Sequence, residues 1–265
     1  MIDLHSHILP NIDDGAPNLE ASLMMAHMAV DSGIQVMAAT PHFMPGVYDN
    51  ESADVRKRLA VLQSALQDAR IPLKLVSGCD AHIRPDFISC LLDGRILTLN
   101  NTRYVLFEPP HTSLPPHMDE LLHNVVASGF VPILTHPERL RWVEQSYELL
   151  IRLVAQGTLM QITAGSLTGR FGPRPQYWAQ RMLAEGLVHI LATDAHDTKK
   201  RPPSMVKAHE IAVAELGLDE AKNLVLIRPA MILDNEPVEG LPPLHIGKGA
   251  SVSAKRSLLN RFFGR

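Results

Sequence analysis

The sequence predicts an α/β fold built on parallel strands. Short apolar runs, many of them β-branched, alternate with amphipathic stretches of helical period, which is typical of successive βα units. Histidines and carboxylates recur where these apolar runs end. The length of 265 residues suits one large domain, because α/β barrels commonly run to roughly 250 residues. The seven predicted strands lie near Ile2–Leu4, Val36–Thr40, Leu73–Ser77, Tyr104–Phe107, Val131–Thr135, Leu159–Thr163 and Val188–Thr193.

Amphipathic segments between these strands predict the helices that cover the sheet. The first, Leu19–Asp31, is followed by Gly33, which tolerates the left-handed backbone found after many helices. In the second, Ala53–Ala69, leucines recur on one face. The other predicted helices are Pro116–Ser128, Val143–Ala155, Pro175–Ala184 and Pro203–Leu216.

The composition is that of a globular protein of a reducing compartment. Apolar residues make up 46% of the chain and charged residues 20%, and the formal net charge of −3 predicts no nucleic-acid partner. Cys79 and Cys90 are too few for a disulfide framework. Because no apolar run approaches the ~20 residues that span a bilayer, we expect no transmembrane segment and a cytoplasmic location.

The character of the sequence changes near Asn235. We therefore predict a barrel domain over residues 1–235 and a tail over residues 236–265, which is Pro-rich and then basic. Within the tail, Ser257–Arg265 alternates apolar residues with arginines. We expect it to pack on its own domain or on a neighbouring subunit of an oligomer, the alternative being contact with a partner or an anionic membrane surface.

The strongest chemical signal starts at the end of the first strand. His5 and His7 form an H-x-H motif, and residues two apart in a strand project to the same side, so both imidazoles can reach one cation. A ligand-type residue also follows most other strands, and in a parallel barrel these ends face one mouth. These further candidates are Asp14, His42, Asp80, Glu108, His136, Asp194 and His196.

So many imidazoles and carboxylates in one cavity predict metal ions. Unpaired, they would be costly to bury, whereas cations compensate them. Mixed nitrogen and oxygen ligands without thiolate favour manganese, iron or zinc, and this many ligands predict two or three ions. We expect the other histidines to have structural roles away from the mouth; these are His27, His82, His111, His117, His123, His189, His209 and His245.

Two arginines near the predicted ligands indicate phosphoryl chemistry. Arg139 lies three residues after His136 and Arg201 five after His196, and guanidinium groups bind phosphate oxygens bidentately. A cysteine phosphatase loop would need Cys-x5-Arg, but Pro85 follows Cys79 at that spacing. After Cys90 the corresponding residue is Ile96. A G-x-S-x-G elbow and a Walker-type loop are also missing from the sequence.

These motifs resemble the polymerase and histidinol phosphatase (PHP) superfamily. The similarity is greatest to the bacterial capsule-biosynthesis protein tyrosine phosphatases of the CpsB/CapC/YwqE type. The matching motifs run in the same order as in the family: Asp3-Leu4-His5-Ser6-His7-Ile8-Leu9-Pro10, Asp13-Asp14-Gly15, Ala39-Thr40-Pro41-His42, Phe107-Glu108, Thr135-His136-Pro137-Glu138-Arg139, Thr193-Asp194-Ala195-His196 and Arg201-Pro202-Pro203.

The resemblance implies a distorted, TIM-like (β/α)7 barrel of the PHP type over residues 1–235, with up to three metal ions. Manganese is the ion we expect, with iron or zinc as alternatives. The implied ligands are His5, His7 and Asp194 for one ion, Glu108 and His136 for a second, and Asp14, His42 and His196 for a third. Asp80 would bridge the first two ions, at a position where family members usually have Glu.

The implied reaction is hydrolysis of phosphotyrosine in a protein, with Arg139 and Arg201 stabilising the charge that builds up on the phosphate. The implied partner is a bacterial tyrosine kinase that controls capsular or exopolysaccharide biosynthesis. Alternatives are a small-molecule phosphatase such as a histidinol-phosphate phosphatase, a non-catalytic metal-binding regulatory module, and an amidohydrolase. The last lacks the usual strand-four lysine, since Glu108 stands there.

Overall fold

The computed structural model describes residues 1–245, and its strands all pair in parallel within that range. The amphipathic segment Ser257–Arg265 lies outside the described residues. The strands are β1 (Ile2–Asp3), β2 (Val36–Ala39), β3 (His42–Phe43), β4 (Lys74–Ser77), β5 (Asp80–His82), β6 (Tyr104–Glu108), β7 (Val131–Thr135), β8 (Leu159–Thr163) and β9 (Ile190–Ala192).

These strands occupy the seven predicted positions, because β3 continues the line of β2 and β5 continues that of β4. Pro41 lies in the first break and lacks the N–H that a regular ladder requires. Hydrogen bonds still cross the breaks, from Gly78 N to Ala39 O at 3.1 Å and from Asp80 N to Pro41 O at 3.1 Å. The interruptions divide the strands into a three-stranded sheet and a six-stranded sheet. The neighbouring strand lines nevertheless stay hydrogen-bonded to each other across the breaks.

The first and last strands meet and close the barrel. Ser6 and Ala195 form a parallel bridge just beyond β1 and β9. Asp194 N donates to His5 O at 2.9 Å, and His7 N donates to Ala195 O at 2.8 Å. The predicted distorted barrel of seven parallel strands is therefore confirmed, and its distortion comes from the two breaks and the short closing contact.

Helices surround the strands, and the six predicted ones are present with ends shifted by up to four residues. The helices are α1 (Leu19–Asp31), α2 (Ser52–Asp68), α3 (Phe87–Leu92), α4 (Met118–Ala127), α5 (Tyr147–Ala155), α6 (Ala164–Leu167), α7 (Pro173–Ala184), α8 (Val206–Leu216), α9 (Leu218–Lys222) and α10 (Arg228–Leu233). The unpredicted helices α3, α6, α9 and α10 have no more than six residues each, too few to show a clear period.

Local sequence signals explain the ends of α1. Asn18 precedes it, and the side-chain oxygen of Asn18 accepts the backbone N–H of Ala21 at 2.9 Å, which caps the helix. Gly33 follows it with φ of +86°, a conformation that suits glycine. The predicted stop at this glycine is confirmed.

The lower half of the barrel interior is a filled apolar core. Leu4, Val76, Leu106 and Ile133 are among its buried members. Along β6 the side chains of Tyr104, Leu106 and Glu108 project to the same side. The first two belong to the apolar core, and the third places a carboxylate at the carboxyl end of the strand. The polar residues above this core therefore sit on a rigid floor.

The end of the barrel opposite to Glu108 is covered by the chain that follows β9. Tyr104 Oη donates to Glu236 O at 2.6 Å, and Arg103 N donates to Asn235 Oδ1 at 2.8 Å. Within residues 1–245 no helix is both long and apolar enough to cross a bilayer. The predicted boundary between domain and tail near residue 235 stays a prediction, since Glu236, Pro242 and Pro243 still contact the barrel.

Candidate metal centre

The structure places the nine predicted ligand residues together at the carboxyl end of the strands. Most are buried, with Asp80 fully enclosed and Asp14 the most exposed at 48% of its side chain. Within residues 1–245 four sets of side chains have donor atoms that lie within 4.8 Å of one another. These sets are His7, Asp14, His42 and His196; His5, His7 and Asp80; His42, His82 and Glu108; and Glu108, His111 and His136.

His5 and His7 turn the same ring nitrogen toward the centre of this cluster. Their Nε2 atoms lie 3.3 Å apart. His5 Nδ1 lies 2.8 Å from Gln161 Oε1, and His7 Nδ1 lies 2.7 Å from Asp13 Oδ2. Because an acceptor faces each Nδ1, that nitrogen keeps the ring proton and Nε2 is the atom that each ring would offer to a cation, as in many metal-binding histidines.

The loop that carries Asp13 packs tightly on His7. Asp13 also accepts the backbone N–H groups of Gly15 at 2.9 Å and of His42 at 3.1 Å. A side chain on Gly15 would meet His7 O at 2.1 Å, so only glycine fits there. Asp13 therefore orients His7 and at the same time fixes the turn that presents Asp14.

A second group of donors lies on the outer side of His7. His196 Nδ1 donates to Asp194 O at 3.0 Å, which leaves His196 Nε2 facing Asp14 Oδ1 at 3.4 Å. His42 Nε2 lies at the same distance from that oxygen. The ring of Tyr48 stacks on His42, with centroids 5.5 Å apart. The cluster thus reaches the surface through Asp14.

Asp194 connects the histidines to the two predicted arginines. Its Oδ1 lies 3.5 Å from Nε2 of both His5 and His7, while its Oδ2 accepts Arg139 Nη1 at 2.6 Å and also accepts Arg201 Nη2. Burial would raise the pKa of Asp194, but the surrounding histidines and arginines outweigh it and hold the pKa well below its usual range. Asp194 is therefore a carboxylate.

Two of the candidate ligands have a strained backbone. His136 has φ of +34° and Asp194 has φ of +51°, both in the left-handed region that costs most residues about 1–2 kcal/mol. Each follows the end of a strand, and each has its own side chain in the mouth. Strain of this kind is concentrated at functional sites, where surrounding contacts hold it in place.

The electrostatics of the histidines differ although the rings lie close together. Burial opposes a charged imidazole, but Asp13 and Asp194 outweigh it and raise the pKa of His7 to about 10. For His196, burial and the charge of His7 act in the same direction and lower the pKa to about 4. The rings of His7 and His196 lie 3.9 Å apart between centroids, so only one of them can readily be positively charged.

Buried polar atoms without partners test whether this cluster suits a metal ion. Neither carboxylate oxygen of Asp80 has a hydrogen-bond partner among the described residues, and Glu108 Oε2 and His136 Nδ1 also lack one there. Such groups are costly to bury alone. Their chemistry, imidazole nitrogen and carboxylate oxygen, is that of manganese, iron and zinc sites, so the residues fit metal binding.

His82 and His111 correct the sequence analysis, which gave them structural roles away from the mouth. His82 Nε2 lies 2.7 Å from Glu108 Oε2, and His111 Nε2 lies 3.0 Å from Glu108 Oε1. His82 is two residues after Asp80, the same spacing as in the H-x-H motif, and this signal was available in the sequence. His111 lies in the loop after β6, and no sequence pattern predicted that this loop would bring it to Glu108.

Phe171 and Glu138 also belong to the surroundings of the site, and both were missed. The guanidinium carbons of Arg139 and Arg201 lie 4.6 and 5.8 Å from the ring centre of Phe171. Glu138 is buried, and its Oε1 accepts Thr163 N at 3.0 Å and the hydroxyl of Ser166. Burial raises the pKa of Glu138 to about 7. Phe171 thus packs against both arginines, and Glu138 ties the turn that carries Arg139 to the end of β8 and to α6.

The fold and the site define a parallel α/β barrel protein with a candidate metal centre at the carboxyl ends of its strands. The chain belongs to the capsular polysaccharide synthesis CpsB/CapC family, whose model matches residues 1–234. The resemblance predicted from the motifs is confirmed.

Named relatives cover nearly all of the barrel. The chain is 36% identical to the tyrosine-protein phosphatase YwqE of Bacillus subtilis, over 92% of this chain and 95% of that protein. It is 28% identical to the tyrosine-protein phosphatase CpsB of Streptococcus agalactiae, over 89% and 99%. Crystal structures have been determined of YwqE from Bacillus subtilis and CpsB from Streptococcus pneumoniae, which are described as unique metal-dependent tyrosine phosphatases. One chain of these structures matches this protein with a TM-score of 0.87 and 35% sequence identity. The match covers 93% of this chain and 99% of that chain.

Proposed function

We propose that this protein is a metal-dependent protein tyrosine phosphatase that hydrolyses the phosphate ester of phosphotyrosine. The observation that carries the proposal is the meeting of unpartnered buried carboxylate oxygens, converging histidine nitrogens and two arginines at one mouth. Similarity to YwqE and CpsB over most of the chain supports the choice of phosphotyrosine.

Two or three metal ions are proposed, with manganese as the favoured ion and iron or zinc as alternatives. Bound there, they would polarise phosphate oxygens and lower the pKa of water. The proposed ligands are His5, His7 and Asp194 for one ion, Glu108 and His136 for the second, and Asp14, His42 and His196 for the third, with Asp80 between the first two. Three of the donor sets support parts of this division, since His5, His7 and Asp80 form one set, Glu108 and His136 share another, and Asp14, His42 and His196 share a third. Asp194 is in none of the sets, and its assignment is proposed from its contacts with His5 and His7.

The two arginines are proposed to bind the phosphate of the substrate. Arg201 Nε is buried and has no acceptor among residues 1–245, so its N–H is available to a phosphate oxygen. Arg139 uses Nη1 to hold Asp194 and offers its other donors to the same region. Planar guanidinium groups on two sides would neutralise charge that increases as the ester bond breaks.

The partial exposure of the site supports a substrate presented by another protein. Asp14 is exposed at 48% of its side chain and His111 at 34%, so donors of the cluster lie at the surface of the mouth. We propose that the partner is a cytoplasmic segment of a bacterial tyrosine kinase and that dephosphorylation regulates capsular or exopolysaccharide biosynthesis. The tail over residues 236–265 is proposed to contact the same domain, a second subunit or a membrane surface.

A turnover assay with matched substrates tests the proposal. Purified protein is stripped with chelator, reloaded with Mn²⁺, and supplied with a phosphotyrosine peptide, the matching phosphoserine peptide or histidinol phosphate. We expect metal-dependent phosphate release from the phosphotyrosine peptide and little from the others. Hydrolysis of histidinol phosphate alone would identify a small-molecule phosphatase. Metal binding without hydrolysis of any ester would identify a regulatory module.

A further inference from the structure

A histidine outside the proposed ligand sets lies beside the centre. His82 follows Asp80 on β5, and residues two apart on a strand project to the same side. Asp80 is completely buried at the floor of the mouth, whereas the side chain of His82 is 21% exposed nearer its rim. One strand therefore presents two metal-binding side chains at different depths.

The ring of His82 faces donors from two other strands. His82 Nε2 lies 3.1 Å from His42 Nδ1 and 2.7 Å from Glu108 Oε2. His42 Nδ1 in turn lies 3.5 Å from the same oxygen of Glu108. These three atoms form a compact triangle of two nitrogens and one oxygen, and each can act as a ligand to a divalent cation.

Hydrogen bonds alone do not satisfy this triangle. Although His82 Nε2 is close to Glu108 Oε2, that buried oxygen has no partner with hydrogen-bond geometry in the described part of the chain. His42 Nδ1 and His82 Nε2 face each other, so one of them must direct a lone pair at the other's proton. A cation among the three atoms would accept all their lone pairs at once.

Glu108 has a separate pair of histidines on its other oxygen. Its Oε1 lies 3.0 Å from His111 Nε2 and 3.5 Å from His136 Nε2. The two oxygens of one carboxylate therefore face two different pairs of imidazoles. This arrangement suits a carboxylate that bridges neighbouring cations, and it makes the side facing His82 a binding position in its own right.

We propose that His82 is a metal ligand, which with Glu108 and His42 holds a divalent cation at the rim of the centre. The inference rests on the metal centre of the proposed function and gives it a further position, which competes with the third ion for His42. In this position His42 binds through Nδ1 and keeps its ring proton on Nε2, which faces Asp14 Oδ1 at 3.4 Å. The rim position and the one at Asp14 therefore draw on the same histidine.

Calorimetric titration of metal-stripped protein with Mn²⁺ and with Zn²⁺ tests this role. The variant His82→Gln keeps an N–H donor for Glu108 but replaces imidazole with a poor metal ligand. We expect one binding event to weaken by more than about 100-fold, beyond the 10–100-fold that is typical of losing a residue that only orients a ligand. The matched control His123→Gln, on the exposed face of α4, should bind as the parent protein does.

Each other outcome has a defined meaning. Unchanged titration of His82→Gln, or weakening within the 10–100-fold range, would overturn the proposal and leave His82 as a residue that positions Glu108. Thermal melting in chelator checks that the variant folds, since its melting temperature should then equal that of the parent protein. Added metal should raise the melting temperature of the parent protein more than that of the variant. For a second variant, His82→Asn, we expect the same weakened binding event.

The phosphatase proposal is judged separately, by turnover of the phosphotyrosine peptide by the parent protein. If the parent protein hydrolyses no ester, the proposed function fails, while the titration still decides whether His82 is a ligand. If the parent protein is active and His82→Gln binds metal normally, only the rim position is lost.

Discussion

At the amino end of the barrel, the buried Arg228 has an acceptor for each guanidinium nitrogen. At the carboxyl end, the equally buried Asp80 has a hydrogen-bond partner for neither oxygen within residues 1–245, and its nearest charged neighbour is His5 Nε2 at 3.5 Å from Oδ2. Arg228 Nη2 donates to Glu220 Oε1 and Oε2 at 2.7 and 3.0 Å. Its remaining acceptors are the backbone carbonyls of His189, Pro242 and Pro243.

This difference distinguishes a buried charge that stabilises the fold, Arg228, from a buried charge that suits metal binding, Asp80. A buried ion that is fully paired fixes neighbouring segments, and here Arg228 fastens the chain near Pro242 under the barrel. A buried carboxylate such as Asp80, whose oxygens have no hydrogen-bond partner in the described part of the chain, is costly unless a positive charge lies beside it, and a bound cation supplies one. Arg228 and Asp80 are equally buried, and the number of their atoms that have hydrogen-bond partners tells them apart.

The largest effect is expected at the carboxyl end, from His136→Ala. The imidazole is 2% exposed and lies 3.5 Å from Glu108 Oε1, so its loss removes a proposed ligand from a buried donor set. We expect turnover of a phosphotyrosine peptide to fall to background and bound metal to decrease, measured by phosphate release and elemental analysis. His123→Gln should change neither quantity, and full activity of His136→Ala would contradict the site.

At the amino end, Arg228→Met should lower the free energy of unfolding without changing turnover of the phosphotyrosine peptide. Removing one partner leaves the carboxylate of Glu220 buried and unpaired, which typically costs about 3–5 kcal/mol. Urea unfolding should show this loss equally with and without metal, while turnover per folded molecule stays constant. The double variant Arg228→Met with Glu220→Leu should recover part of the stability. An unchanged unfolding midpoint in the single variant would remove the distinction between the two ends.

Next in size is the effect of Arg139→Ala on rate. The guanidinium holds Asp194 and is proposed to bind phosphate, and loss of one such stabiliser typically costs about 10²–10³-fold in kcat. Bound metal should stay at the level of the parent protein, which separates this variant from His136→Ala. Arg152→Ala, on the exposed side of α5, is the matched control. A normal rate would place Arg139 outside the chemistry.

The smallest effect, counted per pH unit, is the change in the free energy of unfolding that we expect from protonation of His189 at the amino end. Burial and the nearby Arg228 lower the pKa of His189 from 6.5 to about 3, so the folded protein keeps this ring neutral where the unfolded chain protonates it. Stability should therefore fall as pH decreases from 6.5 toward 3, by up to about 1.4 kcal/mol per pH unit. His189→Asn, which can keep an acceptor for Met160 N, should flatten this slope in urea unfolding. An identical slope would mean that other groups dominate the acid response.

Local patterns explain why much of the fold and site could be predicted. Each strand carries its own apolar run, and parallel strands bring their ends to one mouth, so His5, His136 and Asp194 could be placed together without coordinates. His82 was missed because β4 was taken to end at Ser77. The strand resumes after Gly78 and Cys79, so Asp80 and His82 lie on one strand and project to the same side, as their spacing in the sequence indicates.

Other features depended on loops and on distant contacts. His111 reaches Glu108 through the conformation of the loop after β6, and Phe171 reaches the arginines from the loop after α6. Neither loop has a period or motif that predicts such a contact. The short helices after residue 217 were also missed, because Gly217 and Pro229 interrupt the helical pattern that the longer elements show.

The sequence by itself determined the fold class, the family and most of the residues at the mouth, because strand periodicity and motif spacing are local properties of the chain. Only the tertiary structure decided which ring nitrogen faces which carboxylate, that Asp80 lacks partners while Arg228 has them, and that Glu108 stands between two pairs of histidines. The physical reason is that hydrogen bonds and metal coordination act over about 2–3 Å. Distances of that size between distant segments are fixed only when the barrel closes at Ser6 and Ala195.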